Sequence, residues 1–320
     1  MRMPKPRGSL SEWVVTRLAS TAEDSLGPAP GADSWPDEVI SLWTLHELSY
    51  RGFEDASDHA EWDPELLVVR HDLELALEER LRARWTGHGA DPTDIPADIP
   101  AALEALVDAD DGPSLADHVR RQADVEQVLE LLRQRSIYHL KESDPSAWVV
   151  PRFPVRAKAA LMALQYDEYG DGDPNRLHAH LFARGLEAVG LRSEYGAYVD
   201  DALPETLEMN NAASMFGLHR RLRGAAMGHL AAFEMTSSLP SRKIVQGLDR
   251  LGLDGPMAAY YDEHVEADAI HEHLAARDIC GTLAEDEPDQ AAQILFGAFT
   301  CLDLEGRFAR AMFSAWEQPA

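Results

Sequence analysis

The sequence has little cysteine and few basic residues, and both shortages exclude classes of protein. Only Cys280 and Cys301 occur among the 320 residues, with no C-x-x-C spacing. Disulfides and thiolate-bound zinc are therefore not expected. Asp and Glu number 56 against 29 Lys and Arg, which gives a formal charge of −27. Because this charge opposes binding to nucleic acid or to an anionic membrane, we expect neither partner.

Long apolar runs and several well-known motifs are also missing. No run approaches the roughly 18 apolar residues of a membrane span, and the N-terminal MRMPKPRGSLSEWVV lacks the apolar stretch of an export signal. We expect a cytoplasmic protein. The chain has no P-loop, no H-E-x-x-H and no complete G-x-G-x-x-G, and none of its 13 histidines follows a Glu by three residues. The last absence argues against the E-x-x-H pattern of ferritin-like bundles.

What is present is helical spacing of apolar residues almost throughout, which predicts an all-α fold. Residues 1–36 are rich in Gly, Pro and Ala and predict a loosely ordered leader, and residues 87–100 predict a loop. We predict an N-terminal helical part at 37–136 and a core at 137–320. Helices are expected at 37–50, 64–85, 113–135, 154–169, 174–190, 211–236, 239–252, 256–277 and 287–317.

The most informative pattern is the H-x3-D-x2-H string formed by His264, Asp268 and His271. At about 100° per residue, positions i, i+4 and i+7 of a helix lie within roughly 60° of one another. One helical face then presents two imidazoles and a carboxylate, a set of donors that suits iron. The alternative is that both histidines lie on the solvated face of an acidic helix.

Three more candidate ligands come from other stretches. Glu234 lies among small and apolar residues, where an unpaired carboxylate is costly unless it meets a cation or a metal. Glu168 ends an apolar helical run, and the Gly-rich break after it is expected to let His178 converge with it. A helix starting at Asp173-Pro174, as N-cap and first residue, is expected to carry that histidine. Pairing of Glu234 with Arg or Lys, exposure of Glu168, and replacement of His178 by His180 remain open.

The stretches QYDEYGDGDPNRLHAH, GLHRRLRGAAMGHLAAFEMTSS and YYDEHVEADAIHEH resemble the haem-oxygenase-like diiron oxidases and oxygenases, the iron-containing redox enzymes. The resemblance covers about residues 137–315. It implies a haem-oxygenase-like bundle of about seven core helices, with extra helices at the N-terminus of this chain. It also implies a pair of iron ions and O2 as co-substrate. The ligands it implies are Glu168, His178, Glu234, His264, Asp268 and His271.

Within that family the ten-residue interval from Glu168 to His178 is more similar to the N-oxygenating branch than to the fatty-acid decarboxylases. We therefore predict N-oxygenation of a small amine-containing metabolite or amino acid, with an external electron donor as a possible partner and a homodimer as a possible assembly. The alternatives are C–C cleavage, decarboxylation or desaturation of an amino or fatty acid, and a non-catalytic metal-binding or iron-storage protein.

Several other residues have two readings. Tyr166 and Tyr169 are candidates for hydrogen bonds to the ligands. His46 and Glu47 either face substrate or pack in the core. Arg220 and Arg221 bind a substrate carboxylate or form surface ion pairs, with the ion pairs favoured. His59-Ala60-Glu61 has the spelling of a facial triad, although such triads normally lie on strands.

Overall fold

The computed structural model describes residues 1–20, 26–91 and 93–317, without the side chains of 266–270. Within these residues all regular structure is helical, as predicted. The N-terminal half contains α1 (Ser9–Ala19), α2 (Trp35–Glu47), α3 (Pro64–Gly87), α4 (Ile99–Asp108), α5 (Leu115–Arg121), α6 (Val125–His139) and α7 (Asp144–Ala147). The second half contains α8 (Val155–Glu168), α9 (His178–Ala188), α10 (Pro204–Leu218), α11 (Arg223–Leu251), α12 (Pro256–His273), α13 (Thr282–Asp286) and α14 (Ala291–Glu317). No helix in the described ranges is long and apolar enough to cross a membrane.

The stretch expected to be a loose leader contains a packed helix. Leu10, Val14 and Leu18 of α1 are buried in the core. The Asp37 side chain accepts hydrogen bonds from the backbone N–H groups of Leu10 and Ser11, which satisfies donors that a helix start leaves free. The apolar spacing of residues 10, 14 and 18 is typical of a helix. The loose leader was predicted instead because Gly and Pro are frequent in the residues that follow.

Two helix boundaries differ from the prediction over residues 87–135. The predicted helix at 113–135 is divided into α5 and α6, because Asp124 caps α6 by accepting from the Gln127 N–H at 2.9 Å. The predicted loop at 87–100 overlaps the first two residues of α4, a helix that was not predicted. Asp98 caps that helix and Pro100 stands in its first turn, where its missing N–H is not needed.

The helices that carry most of the core also begin and end at unexpected places. The chain breaks at His219, which has extended backbone angles, so the predicted helix at 211–236 is shared between α10 and α11. Helix α11 then continues through Pro240, where two helices had been predicted. A proline inside a helix removes one backbone hydrogen bond, and here packing against α12 and α14 accompanies the continuous helix.

Helices α11 and α14 approach closely through small residues. A Cβ atom added to Gly228 would clash with the Ile294 carbonyl, and one added to Gly297 would clash with the Ala225 carbonyl. The small residues of α11 therefore allow it to pack closely against α14. This crossing positions Glu234, six residues beyond Gly228, on the inner side of the bundle, where it is buried.

Candidate metal centre

Four helices and the turn after α6 deliver side chains to one buried cluster. Glu168 is the last residue of α8, His178 is the first of α9, and Glu234 lies within α11. His264 and His271 come from α12, which packs against both α9 and α11. Gly170 and Gly172 have positive φ angles of 68° and 83°, so the Gly-rich break turns the chain back between the first two of these residues, as predicted.

The cluster consists of two groups of three side chains. Glu142, His178 and His264 form one group, and Glu168, Glu234 and His271 form the other. Within each group the potential ligand atoms lie within 4.8 Å of one another, and all six side chains are buried. Ligand atoms about 2.1 Å from a shared ion are separated by roughly 3 to 3.5 Å. His271 Nδ1 lies 3.4 Å from both Glu168 Oε1 and Glu234 Oε2, which matches that spacing.

A contact between Glu168 and His178 joins the two groups. His178 Nδ1 lies 3.2 Å from Glu168 Oε2, but the two are misaligned for a hydrogen bond, and this buried nitrogen has no hydrogen-bond partner among the described residues. A buried imidazole nitrogen without a hydrogen bond is costly. A nitrogen and an oxygen that face the same point can instead both bind a cation, so the donors present fit a metal ion such as iron.

Hydrogen bonds decide which nitrogen of each α12 histidine is available. His264 Nδ1 lies 2.9 Å from the Tyr260 carbonyl. Because a carbonyl only accepts, Nδ1 carries the proton and Nε2 is left to face Glu142, 3.7 Å away. His271 is oriented the other way: its Nε2 donates to Asp167 Oδ2 at 2.7 Å, so Nδ1 faces the two carboxylates. A carboxylate or carbonyl behind a histidine is a typical second partner of a metal-binding imidazole.

Without a metal, the buried carboxylates hold the histidines in their charged form. Burial lowers the pKa of His264, but Glu142 and Glu168 outweigh burial and raise it to about 10. Burial likewise lowers the pKa of His271, and Glu234, Glu168 and Asp167 raise it to about 9. Protonated imidazoles thus neutralise part of the negative charge of the cluster.

Of the six predicted ligands, the structure brings five together. Glu168, His178, Glu234, His264 and His271 all contribute to the two groups. The side chain of Asp268 lies outside the described residues, so its role as a ligand stays a prediction. His180, the rival of His178, is exposed.

Glu142 is the cluster residue that was not predicted from the sequence. It lies just beyond α6, before Ser143, whose φ of 68° turns the chain towards α7. Tyr260 donates to Glu142 Oε2 at 2.9 Å, and His139 Nδ1 lies 3.2 Å from Glu142 Oε1. Burial raises the pKa of Glu142, but His139 and His264 lower it well below its usual value. An available signal was the H-x-x-E spacing of His139 and Glu142, which places an imidazole and a carboxylate about one turn apart.

The tyrosines predicted near the ligands do not reach them. Tyr166 is 57% exposed, and the Tyr169 hydroxyl donates to Asp144 at 3.0 Å instead of to Glu168. Hydroxyl groups that do contact carboxylate ligands come from Tyr260, which donates to Glu142, and Ser143, which donates to Glu168 Oε2 at 3.1 Å.

The residues for which both a functional and a structural role were considered mostly make structural contacts. His46 is buried between Glu74 and Asn211, and Glu47 forms a buried ion pair with Lys141. Arg221 pairs with Glu78, which confirms the surface ion pair that was favoured. His59 is exposed on a short 3-10 helix, not on a strand.

A cavity of about 230 Å³ lies beside the cluster, between α6, α11 and α14. His139 lines it, and the same ring contacts Glu142. Phe233, the neighbour of Glu234, also lines it. The ion pair of Arg135 and Glu305 forms part of its wall. The cavity therefore comes within one side chain of the potential metal ligands.

Comparison with known proteins agrees with this geometry. A family model described as iron-containing redox enzyme matches residues 129–306, more than half of the chain. The chain belongs to this family. All five described ligand candidates and Glu142 fall inside the matched range. As a member of the iron-containing redox enzymes, the chain is an iron-dependent oxidoreductase.

One curated relative of this iron-containing redox enzyme is the nitrosourea synthase of Streptomyces achromogenes subsp. streptozoticus. It is 29% identical over 150 residues, which is 47% of this chain and 32% of the relative. The matched part of the chain thus spans about a third of the length of that protein.

Proposed function

We propose that the chain is an O2-dependent oxygenase that holds two iron ions and N-oxygenates a small amine-containing metabolite or amino acid. The observation that carries the proposal is the pair of His and carboxylate groups in one buried cluster. Each group offers both of the donor types that non-haem iron prefers. The relative named nitrosourea synthase supports the proposed N-oxygenation, because a nitrosourea carries an oxygen atom on nitrogen.

In the proposed reaction, one oxygen atom of O2 forms the new N–O bond and the other leaves as water. The balance requires two electrons and two protons, so an external electron donor is part of the proposal. When bound, the iron pair supplies the redox chemistry that activates O2. Three carboxylates and three imidazoles among the described residues would hold it: Glu142, Glu168, Glu234, His178, His264 and His271. Asp268 is proposed as a further ligand.

The residues around the cluster orient its ligands. The Tyr260 hydroxyl and His139 fix both oxygens of Glu142, and Asp167 fixes the ring of His271. Such contacts keep each ligand in one orientation and one protonation state. Phe233 and Tyr261 both line the cavity beside the cluster, and Tyr261 is buried. Substrate bound in this cavity would lie next to the cluster.

The test is an anaerobic titration with ferrous iron, followed by exposure to O2 with a panel of amines, amino acids and fatty acids. We expect about two irons per chain and a product that has gained an oxygen atom on nitrogen, measured by mass spectrometry. A decarboxylated, cleaved or desaturated product would replace N-oxygenation by the alternative reaction. Ferric mineral without any need for substrate would indicate an iron store instead.

His264→Ala is the variant that ties activity to the cluster, and His180→Ala on the exposed face of α9 is its matched control. We expect the first to lose iron and product and the second to keep both. Loss of product in both variants, or in neither, would contradict the proposed site.

A further inference from the structure

We propose that the cavity between α6, α11 and α14 is the substrate site and that it selects a positively charged amino acid or amine. The ion pair of Arg135 and Glu305, with Asp110 at the mouth, recognises the charged groups of this ligand. The inference rests on the proposed function, because it names the substrate class of the same site.

The ion pair faces the cavity although it lies deep in the bundle. Arg135 Nη1 and Nη2 lie 2.6 and 2.7 Å from the two oxygens of Glu305, a bidentate pair. The Arg135 side chain keeps 22% of its surface exposed and that of Glu305 keeps 29%. Both side chains line the cavity, which accounts for this exposed surface in the interior.

The paired residues keep hydrogen-bonding capacity for a ligand. A guanidinium has five N–H donors, and the contact with Glu305 uses two of those of Arg135. The Arg135 guanidinium also lies over the Phe308 ring, 4.7 Å from its centroid, which holds its plane in place. The remaining N–H groups can bind a carboxylate, and the lone pairs of Glu305 can accept from an ammonium or guanidinium group.

The balance of charge in the cavity favours a cation. The acidic residues that line it are Asp110 and Glu305, and the only lining Arg or Lys within the described residues is Arg135. His139 and Tyr261 are the other titratable residues of the wall. Because a net negative cavity with apolar walls attracts positive charge and excludes like charge, a ligand with a net positive charge is preferred over its neutral analogue.

The size and place of the cavity agree with an amino acid. A volume of about 230 Å³ lies below the roughly 300–1,000 Å³ of sites for drug-sized ligands, which fits a smaller ligand such as an amino acid. Leu131, Ile244 and Leu302 supply apolar walls for an aliphatic chain. His139 and Phe233 lie at the side nearest the cluster, so a ligand anchored at the ion pair extends towards it.

The experiment measures binding of matched ligands by equilibrium dialysis, with and without iron on the full chain. L-arginine is compared with its neutral isostere L-citrulline, and L-lysine with L-norleucine. We expect at least one charged ligand to bind at least tenfold more tightly than its neutral partner. If neither pair shows a difference, or if the neutral ligands bind more tightly, the inference is overturned.

Variants connect the preference to the named residues. Asp110→Asn, at an exposed lining residue, is expected to reduce the preference for the charged ligand severalfold. Glu305→Gln is expected to abolish the preference. The matched control is Asp286→Asn, at the end of α13, which alters a surface ion pair with Arg156 and does not line the cavity. We expect this variant to keep the preference for the charged ligand. An unchanged preference in both cavity variants, with folding verified by circular dichroism, would also overturn the inference.

The outcomes separate this inference from the proposed function. Charge-selective binding without any O2-dependent product would retain the cavity and remove the oxygenase. An N-oxygenated product formed equally well from charged and neutral amines would retain the oxygenase and remove the selection of charge.

Discussion

Binding of ferrous iron should release about one proton per iron at pH 7. In the metal-free chain the pKa of His264 is about 10 and that of His271 is about 9, so both rings are protonated at neutral pH. A protonated imidazole cannot bind a metal. Because the two histidines belong to different groups of the cluster, each iron has one of these protons to displace.

The cost of removing these protons follows from the pKa values. Each unit between the pKa and the pH costs about 1.4 kcal/mol. At pH 7 this amounts to roughly 4 kcal/mol for His264 and roughly 3 kcal/mol for His271. The affinity for each iron should therefore rise about tenfold per pH unit between pH 6.5 and 8.5, and iron should be held weakly in acid.

The assay is an anaerobic iron titration in weakly buffered solution with a pH indicator, repeated across that range. Glu142→Gln removes the carboxylate that raises the pKa of His264 most strongly, so this variant should release about one proton fewer per pair of irons. Glu272→Gln, an exposed change on the same helix, is the control and should match the parent. Metal binding without proton release, or equal release in the parent and Glu142→Gln, would refute the reasoning.

The same groups link pH to the stability of the metal-free chain. A histidine whose pKa is raised by folding stabilises the folded state fully below about pH 6.5. That contribution is lost as the pH rises through the folded values of about 9 and 10. Iron-loaded protein, in which these protons are already displaced, should not show this loss in urea unfolding at pH 7 to 10.

Three further changes test the surroundings of the cluster. Gly228→Ala should destabilise the chain by about 1 to 3 kcal/mol or more in urea unfolding, because the new methyl group meets the backbone of α14, whereas Gly87→Ala has open space and should cost nothing. Lys141→Met should lower the free energy of unfolding by about 3 to 5 kcal/mol, because it leaves the buried Glu47 carboxylate without its cation. Adding Glu47→Gln should recover much of that loss. Equal stability of the single and double variants would contradict the ion-pair argument. Tyr260→Phe removes a hydroxyl that orients a carboxylate of the cluster, so iron affinity should fall about 10- to 100-fold with the stoichiometry retained at high iron, as measured by titration.

The all-α class and most of the cluster were predictable because they depend on local patterns. Helical spacing places His264 and His271 on one face of α12, and the isolation of Glu234 among small residues indicates a buried carboxylate with a partner. The burial of both histidines excludes the solvated-face alternative. Helix ends were less predictable. The break after Glu168 was expected, but α9 begins at His178 rather than Pro174, because Asp173 accepts from Asn175 and forms a turn instead of a cap.

The H-x-x-E spacing relates Glu142 to His139, but it does not place Glu142 at the cluster, because Glu142 lies beyond the end of α6. Its position depends on the left-handed Ser143 and on the buried Lys141, which pairs with Glu47 of a distant helix. The charges flanking it in sequence make it look like a residue of an exposed turn. Only the packing of α2 against the rest of the bundle reveals that this turn faces inward.

The π-helix at Leu274–Gly281, which continues α12, has a consequence for insertions and deletions. A π-helix closes its hydrogen bonds over one residue more than an α-helix does. Loss of a single residue between Leu274 and Gly281 can therefore be absorbed by a return to regular α-helix. The same loss between His264 and His271 would rotate one ring from the other by about 100°. The π-helix therefore allows a residue to be lost after α12 without changing the relative orientation of His264 and His271.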